Sequence, residues 1–312
     1  MRVAVLFIDG VGIGRNDPEV NPLAGRDYLL SHFQDAPGAL LPASGRCIPV
    51  DTTFGVAGRP QSASNQTAIL TGQPAPVLIG RHVLGYPDKP LRELLAQHSI
   101  IKRLGAAGRT ATFANSYPVA YLDALKLTRR PSSSPPEFTL PPAALRRLKA
   151  SASTLAFAAG DVPLRTFEDA RAGQGLTHDV TGARARARGM ATVPERTPAE
   201  AAEVFWRVAT EADFTFFEHY LADEAGHARD FAAAREALDT FDAFLRAVVA
   251  TRPPDVRVLV CSDHGNVEDL STRSHTLNPV PVLYFGPPAP EVEALATVAD
   301  VGRTVLRWLD VE

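Results

Sequence analysis

Aspartate and histidine side chains recur where predicted strands of this chain end. Carboxylate oxygens combined with imidazole nitrogens are ligands that favour Zn²⁺ or Mn²⁺ over Ca²⁺. Three carboxylates and three imidazoles are enough to hold two divalent ions, and two such ions indicate hydrolytic or transfer chemistry at phosphorus or at a carbonyl carbon. The six residues are Asp9, Asp223, His227, Asp263, His264 and His275.

Each of these positions taken alone also has a structural explanation. Asp9 can cap a helix, and His275 can be a hydrogen-bonded loop histidine. Asp223 and His227, four residues apart, can lie on a solvent-exposed helix face. The combination favours a metal centre, because three of the eight histidines fall where a site on an α/β sheet would need them.

A nucleophile is available at the start of a predicted helix. Ser62 and Ser64 lie in the turn that feeds this helix, which we expect to end at Gly72. A hydroxyl at a helix N-terminus meets backbone N–H groups and the positive end of the helix dipole, which suits an incoming phosphate. A plain N-cap is the alternative role for either serine.

Short apolar runs alternate with helical patterns over much of the chain, which predicts an α/β fold with a mostly parallel sheet and helices on both faces. In such sheets functional residues gather beyond the carboxyl ends of the strands. The glycines at 10, 12 and 14 lack the spacing of a dinucleotide-binding turn. We expect strands at 2–8, 110–114, 214–219, 256–262 and 280–285, and later helices at 91–107, 198–211, 230–250 and 298–309.

The rhythm of strands and helices is interrupted in the middle of the chain. Prolines and serines crowd residues 129–142, which is typical of a linker or an irregular loop. We therefore expect a core formed by residues 1–114 and 198–312, with residues 115–197 as an insertion or small cap.

The composition is that of a soluble globular protein, with 45% hydrophobic and 21% charged residues among 312. A net charge of −3 argues against a nucleic-acid partner. Two cysteines, Cys47 and Cys261, favour the cytosol over a disulfide framework. The first residues lack a signal-peptide layout, and no apolar stretch is long enough to suggest a membrane partner.

Several motifs together resemble the alkaline phosphatase superfamily, and most of all the metalloenzyme domain of cofactor-independent phosphoglycerate mutase and phosphopentomutase. The resemblance covers roughly residues 1–85 and 200–312. The motifs are Asp9-Gly10, Ser62 ten residues before Gly72, Asp223-Glu-Ala-Gly-His227, Ser262-Asp263-His264-Gly265-Asn266, His275-Thr-Leu-Asn-Pro-Val-Pro281, and the closing segment 298–305.

The resemblance implies an alkaline-phosphatase-like fold with two divalent ions, Mn²⁺ or Zn²⁺. Ser62 is then the nucleophile that forms a phosphoserine, with Ser64 as the alternative. Contacts to the substrate are expected from Asn65, Arg81 and His82. The first ion is expected on Asp9, Ser62, Asp263 and His264, and the second on Asp223, His227 and His275.

The implied activity is phosphoryl transfer on a small phosphorylated metabolite. A phosphomonoester hydrolase is favoured, because the insertion is shorter than the substrate-clamping domain of the phosphoglycerate mutases. The alternatives are an intramolecular phosphomutase and, with less support, a non-catalytic metal-binding protein. A sulfatase is disfavoured, because the sequence around Ser62 lacks the Cys/Ser-X-Pro-X-Arg context. The oligomeric state stays open.

Overall fold

The computed structural model describes residues 1–42, 45–133, 139 and 141–311. A six-stranded sheet forms the centre of the protein, and a two-stranded ribbon lies apart from it. The strands of this described part are β1 (Arg2–Ile8), β2 (Arg46–Val50), β3 (Ala111–Phe113), β4 (Ser116–Tyr117), β5 (Arg165–Thr166), β6 (Phe214–His219), β7 (Val256–Cys261) and β8 (Val280–Phe285).

Helices connect most of these strands, and a short 3₁₀ helix spans Pro290–Ala294. The α-helices of the described residues are α1 (Ser62–Thr71), α2 (Ala75–Ile79), α3 (Lys89–His98), α4 (Ile100–Ala106), α5 (Val119–Ala124), α6 (Pro142–Leu145), α7 (Ala152–Ala159), α8 (Phe167–Arg171), α9 (Ala183–Ala187), α10 (Pro198–Ala209), α11 (Leu221–Ala228), α12 (Phe231–Ala250) and α13 (Ala299–Trp308). None of them combines the length and apolar character that crossing a bilayer requires.

The main sheet has the order β2-β8-β7-β1-β6-β3. β1 pairs in parallel with β6 and β7, and β3 pairs in parallel with β6. β8 is antiparallel to both β7 and β2. The predicted α/β fold with a mostly parallel sheet is therefore confirmed, with an antiparallel edge that the sequence pattern did not indicate.

Both faces of the sheet are covered, which explains why β1 is an almost continuous apolar run. Its alternate side chains Val3, Val5 and Phe7 enter the apolar cluster formed with α1, α3, α4, α7 and α13. The intervening Ala4, Leu6 and Ile8 enter a second cluster formed with α10, α11 and α12.

Local signals predicted most element ends well. Thr197 caps α10 in a capping box with Glu200, and Gly72 ends α1 in the left-handed conformation. The prediction of one helix over residues 91–107 was wrong in one respect, because the segment forms two helices, α3 and α4, separated at Ser99. The Ser99 hydroxyl accepts from Ile101 N and donates to Ala156 O, so a tertiary contact accompanies the break.

The edge strand β2 was not predicted from the sequence. It contains Pro49, and a proline is tolerated in a strand chiefly at a sheet edge, where no second partner needs its missing N–H. Its pairing with β8 joins residues more than two hundred positions apart.

Residues 115–197 contain the β4–β5 ribbon and helices α5 to α9. The first part of this segment packs into the main core, since the ring of Phe157 on α7 stacks on Phe113 of β3 with centroids 4.7 Å apart. Of the predicted irregular stretch 129–142, residues 134–138 and 140 lie outside the described residues. The division into core and cap stays a prediction.

Candidate metal centre and active site

The candidate residues meet at one edge of the sheet because parallel strands end together. β1 is in register with both neighbours, with Ile8 opposite His219 and Phe7 opposite Cys261. Asp9 therefore emerges beside the end of β7, where Asp263 and His264 follow. The chain after β6 turns into α11, which carries Asp223 and His227 to the same edge.

The first cluster consists of Asp9, Asp263 and His264, all buried, with ligand atoms within 4.8 Å of one another. His264 Nε2 lies 3.4 Å from Asp9 Oδ1 and 3.5 Å from Asp263 Oδ2. The same nitrogen is 2.9 Å from Ser62 Oγ. The hydroxyl that was predicted as the nucleophile therefore lies against the first cluster.

Ser62 is the first residue of α1 and not its cap. The N-cap is Gln61, which makes no side-chain capping hydrogen bond. The Ser62 hydroxyl is accordingly left to face His264, at the positive end of the helix dipole. Ser64 is fully buried, and its hydroxyl donates to Gln61 O and accepts from Val83 N. This geometry favours Ser62 over Ser64 as the reactive hydroxyl.

The second cluster consists of Asp223, His227 and His275. Asp223 and His227 lie one turn apart on α11, with Oδ2 and Nε2 3.3 Å apart. His275 Nε2 is 3.7 Å from Asp223 Oδ1 and 3.1 Å from His227 Nε2. Asn266 Nδ2 donates to Asp223 Oδ1 at 2.6 Å and so orients the carboxylate.

Backbone carbonyls set the tautomers of the two histidines in this cluster. His227 Nδ1 is 2.9 Å from Arg273 O, and His275 Nδ1 is 2.8 Å from Pro60 O. A carbonyl only accepts, so each Nδ1 carries a proton and Nε2 is the nitrogen of each ring that could bind a metal. Loss of the second proton from His227 would leave two Nε2 lone pairs beside the Asp223 carboxylate, an arrangement that could hold a cation.

The electrostatics of both clusters also fit divalent cations. Burial, reinforced by the neighbouring Asp263, raises the pKa of Asp9 well above its usual range, and burial raises that of Asp263 to about 6. Asp9 Oδ1 is buried without a hydrogen-bond partner. Close buried carboxylates repel each other and leave lone pairs unsatisfied until a cation lies between them. Burial lowers the pKa of His264 to about 4, which keeps that ring neutral for coordination.

Asp223 supplies the negative charge of the second cluster. Burial opposes ionisation of Asp223, but the hydrogen bond from His227 and the proximity of His264 hold its pKa below the usual range. The same hydrogen bond raises the pKa of His227 to about 9. Burial and His264 lower the pKa of His275 to about 4. Asp223 is therefore a permanent anion that attracts positive charge to this point.

A glycine permits the two clusters to approach. Gly10 has a φ of +75°, and a Cβ atom there would lie 2.6 Å from Asp223 Oδ1. A side chain at position 10 would therefore push Asp223 away from the turn that holds Asp9.

Two polar side chains that the sequence did not single out complete the site. Gln66 Nε2 donates to Asp263 Oδ2 at 2.9 Å and to Asp9 Oδ2 at 3.3 Å. Glu268 is buried and accepts hydrogen bonds from Gly12 N and Asn266 N at 2.9 and 2.7 Å. The sequence contains a signal for Gln66, because it lies one helical turn after Ser62. It contains no signal for Glu268, whose role depends on contacts within a loop.

The three residues predicted to contact the substrate, Asn65, Arg81 and His82, lie in different environments. Asn65 is buried and donates to Thr52 O and Asp263 O, so it holds the loop that carries the first cluster. Arg81 forms an ion pair with Asp88 at 2.6 Å. Neither Arg81 nor His82 is among the described residues that line the cavity over the site. Their contact with substrate stays a prediction.

A cavity of about 670 Å³ opens beside the two clusters, with Asp9, Ser62 and Asp223 in its wall. Its opposite wall comes from residues 115–197, including Tyr117, Tyr121 and Arg184. The cavity is large enough for a small metabolite.

Comparison with known proteins identifies relatives of the C-terminal part of the chain. Residues 190–312 match the model of the Metalloenzyme superfamily. The 2,3-bisphosphoglycerate-independent phosphoglycerate mutase of Agrobacterium fabrum (strain C58 / ATCC 33970) is 35% identical over 127 residues, which is 38% of this chain and 25% of that protein. The mutase of the same name from Haloquadratum walsbyi is 32% identical over 113 residues, 33% of this chain and 22% of that protein. The chain thus spans about a quarter of the length of these relatives.

Solved structures extend the likeness to the whole fold. The cold-active alkaline phosphatase from a psychrophilic Shewanella sp. superposes with a TM-score of 0.55 at 12% identity, covering 99% of this chain and 100% of that one. The alkaline phosphatase of the Antarctic bacterium TAB5 gives 0.52 at 14% identity, covering 99% and 98%. Residues 190–312 are thus similar to the Metalloenzyme superfamily, and the fold of the chain is alkaline-phosphatase-like.

Proposed function

We propose that this protein is a two-metal-dependent phosphoryl-transfer enzyme that hydrolyses a small phosphomonoester through a phosphoserine at Ser62. The observation that carries the proposal is the 2.9 Å approach of Ser62 Oγ to His264 Nε2, within a buried cluster of candidate metal ligands. The family match over residues 190–312 supports the same chemistry.

Seven side chains fit the role of ligands. Asp9, Ser62, Asp263 and His264 would hold one divalent ion, and Asp223, His227 and His275 would hold the other. The mixture of carboxylates and imidazoles suits Mn²⁺ or Zn²⁺. Bound ions of this kind supply Lewis acidity, which lowers the pKa of a serine hydroxyl and neutralises charge on phosphoryl oxygens.

The chain itself supplies the nucleophile and its orientation. The Ser62 hydroxyl releases its proton to water, and its oxygen bonds to phosphorus while the bond from phosphorus to the leaving oxygen breaks. The leaving oxygen then takes up a proton from water. The N-terminus of the ten-residue helix α1 favours the anionic phosphoryl group. The amide of Gln66, which donates to the carboxylates of Asp9 and Asp263, keeps both in place. Water then hydrolyses the phosphoserine and releases phosphate.

A hydrolase is preferred over a mutase because the segment 115–197 is shorter than the substrate-clamping domain of the phosphoglycerate mutases. A mutase must retain the dephosphorylated intermediate and return the phosphoryl group to another of its hydroxyls. The second candidate is nevertheless an intramolecular phosphomutase, since the two curated relatives above are phosphoglycerate mutases. A non-catalytic metal-binding role has less support, because all seven candidate groups, including the nucleophile Ser62, are present.

The cytosol is the proposed compartment, in keeping with two free cysteines, Cys47 and Cys261. A small phosphorylated metabolite is the proposed partner.

The test combines metal analysis with a phosphate-release screen over phosphorylated metabolites in added Mn²⁺ or Zn²⁺. We expect about two ions per chain, as two-metal chemistry requires, together with phosphate release. Two ions with isomerised substrate and no released phosphate would replace the hydrolase with the mutase. A protein that takes up no metal under any condition would overturn both.

A further inference from the structure

A second buried carboxylate faces the cavity that holds Ser62. Glu218 lies near the end of β6, opposite Phe7 of β1, on the face of the sheet that also presents Asp9. Its side chain is in the cavity wall together with Asp9 and Ser62, although the residue is only 7% exposed.

The position of Glu218 is fixed from two sides. Asn115 forms a pair of hydrogen bonds with the Glu218 backbone, at 2.8 and 2.9 Å. Tyr117 donates its hydroxyl to Oε1 at 2.7 Å, and Ser153 donates to Oε2 at 2.5 Å. A carboxylate accepts about four hydrogen bonds, so each oxygen keeps capacity for a ligand.

No cation of the described chain neutralises this carboxylate. Burial raises the pKa of Glu218, the hydrogen bonds from the two hydroxyls oppose that shift, and no arginine or lysine of the described residues forms an ion pair with it. A buried anion without a cationic partner is unfavourable, and a cation supplied by a ligand relieves that cost.

Aromatic rings surround the same end of the cavity. Tyr117 and Tyr121 stack on each other with centroids 5.5 Å apart, and both line the cavity together with Tyr220. A carboxylate beside aromatic rings is the combination that binds ammonium groups, through ion pairing and cation–π attraction.

The arginines of the opposite wall do not cancel this preference. Arg184 forms an ion pair with Glu224, which neutralises it. Arg188 is exposed, at the C-terminal end of α9. Among the described acids that line the cavity and are not candidate metal ligands, Glu218 is therefore the one without an arginine partner.

We propose that Glu218 binds an ammonium group on the leaving-group side of the substrate, so that the substrate is a phosphomonoester of an amino alcohol. This inference rests on the proposed function, because it places the phosphoryl group at Ser62. Hydroxyl groups of a polyol phosphate are the competing ligands for the same carboxylate.

A binding measurement distinguishes an ammonium ligand of Glu218 from a hydroxyl ligand, and it does not require turnover. Calorimetric titration of the Mn²⁺-loaded Ser62→Ala protein would compare O-phosphoethanolamine with glycerol phosphate. We expect tighter binding of O-phosphoethanolamine by tenfold or more. In the Ser62→Ala/Glu218→Gln protein that preference should fall to less than threefold, since glutamine keeps the shape but not the charge. Tyr117→Phe on the same background keeps the ring and removes one hydrogen bond, and should cause a smaller loss in the same direction.

Equal binding of the two esters, or a Glu218→Gln loss that is the same for both, would overturn the ammonium assignment and indicate a hydroxyl-binding or structural role. Thermal melts of each variant establish that it is folded. Failure of the proposed function has a different signature: wild-type protein would bind O-phosphoethanolamine selectively and release phosphate from neither ester.

Discussion

The imidazole rings of His264 and His275 lie face to face, with centroids 3.6 Å apart and planes 15° from parallel. The two residues belong to different candidate metal clusters, so this stack joins one cluster to the other. Because they are only eleven positions apart in the sequence, the loop between them must fold back sharply. Glu268 lies within that loop and organises it.

Replacing Glu268 by alanine should destabilise the protein and loosen both clusters. The carboxylate accepts from Gly12 N, Asn266 N, Thr276 Oγ1 and Asn278 Nδ2, and all four donors would lose their partner. We expect a loss of about 3 kcal/mol in the free energy of unfolding, measured by urea denaturation.

The matched control for this change is Glu293→Ala. Glu293 forms an exposed ion pair with Arg46, with its side chain 60% accessible. Its removal should change the free energy of unfolding by less than about 1 kcal/mol. Equal losses in the two variants would show that Glu268 does not organise the loop.

Ser62→Ala should abolish turnover while leaving the fold and most of the bound metal in place. The hydroxyl is the proposed nucleophile and is not the cap of α1, so its loss should lower kcat by about a thousandfold or more without unfolding the helix. Phosphate release, metal content and thermal melting would be measured together.

The control is Ser64→Ala, two residues further along the same helix. It removes the buried hydrogen bonds to Gln61 and Val83 and should cost about 1 kcal/mol of stability while retaining activity. The reverse pattern, with Ser64→Ala inactive and Ser62→Ala active, would exchange the roles of the two serines.

Asp263→Asn should lower the occupancy of the first metal. Asp263 is fully buried and its Oδ2 faces His264 Nε2, so an amide there exchanges a charged ligand for a neutral one. We expect kcat/KM to fall by about a thousandfold, or roughly 4 kcal/mol of transition-state stabilisation. Elemental analysis should find less metal per chain, with the second cluster still occupied.

Asp255→Asn controls for the loss of an acid elsewhere, since Asp255 forms an exposed ion pair with Arg2. Its metal content and kinetics should equal those of the wild type. Wild-type metal content in Asp263→Asn would remove this residue from the proposed ligand set.

Gly10→Ala should damage the second cluster. A Cβ at this position would meet Asp223 Oδ1 at 2.6 Å, in addition to the strain of a φ of +75°. We expect metal affinity to fall by about ten- to a hundredfold, as with other changes that displace a ligand. Titration of the metal-free protein with Mn²⁺ or Zn²⁺ would measure it.

Gly25→Ala isolates the backbone contribution. Gly25 has a similar φ of +70°, and no atom lies within 4 Å of a Cβ built there. Both variants should carry the conformational cost of about 1 kcal/mol. A loss of metal affinity of equal size in both would show that the contact with Asp223 is not responsible.

Elements with strong local signals can be predicted from the amino-acid sequence alone. Apolar runs buried on both faces predicted β1, β6 and β7, and caps such as Thr197 and Gly72 predicted helix ends. Ligands that follow parallel strands share one edge of the sheet. The order of strands and polar residues along the chain is therefore enough to group the six aspartates and histidines into one site.

Features that depend on distant partners emerge only in the tertiary structure. β8 is antiparallel, and β2 completes the edge, through pairing between segments far apart in the chain. Glu218 lies beside the Ser62 cavity only because β6 neighbours β1, and no local pattern records that adjacency. Sequence periodicity describes which face a side chain occupies, whereas long-range packing determines which other side chains it meets there.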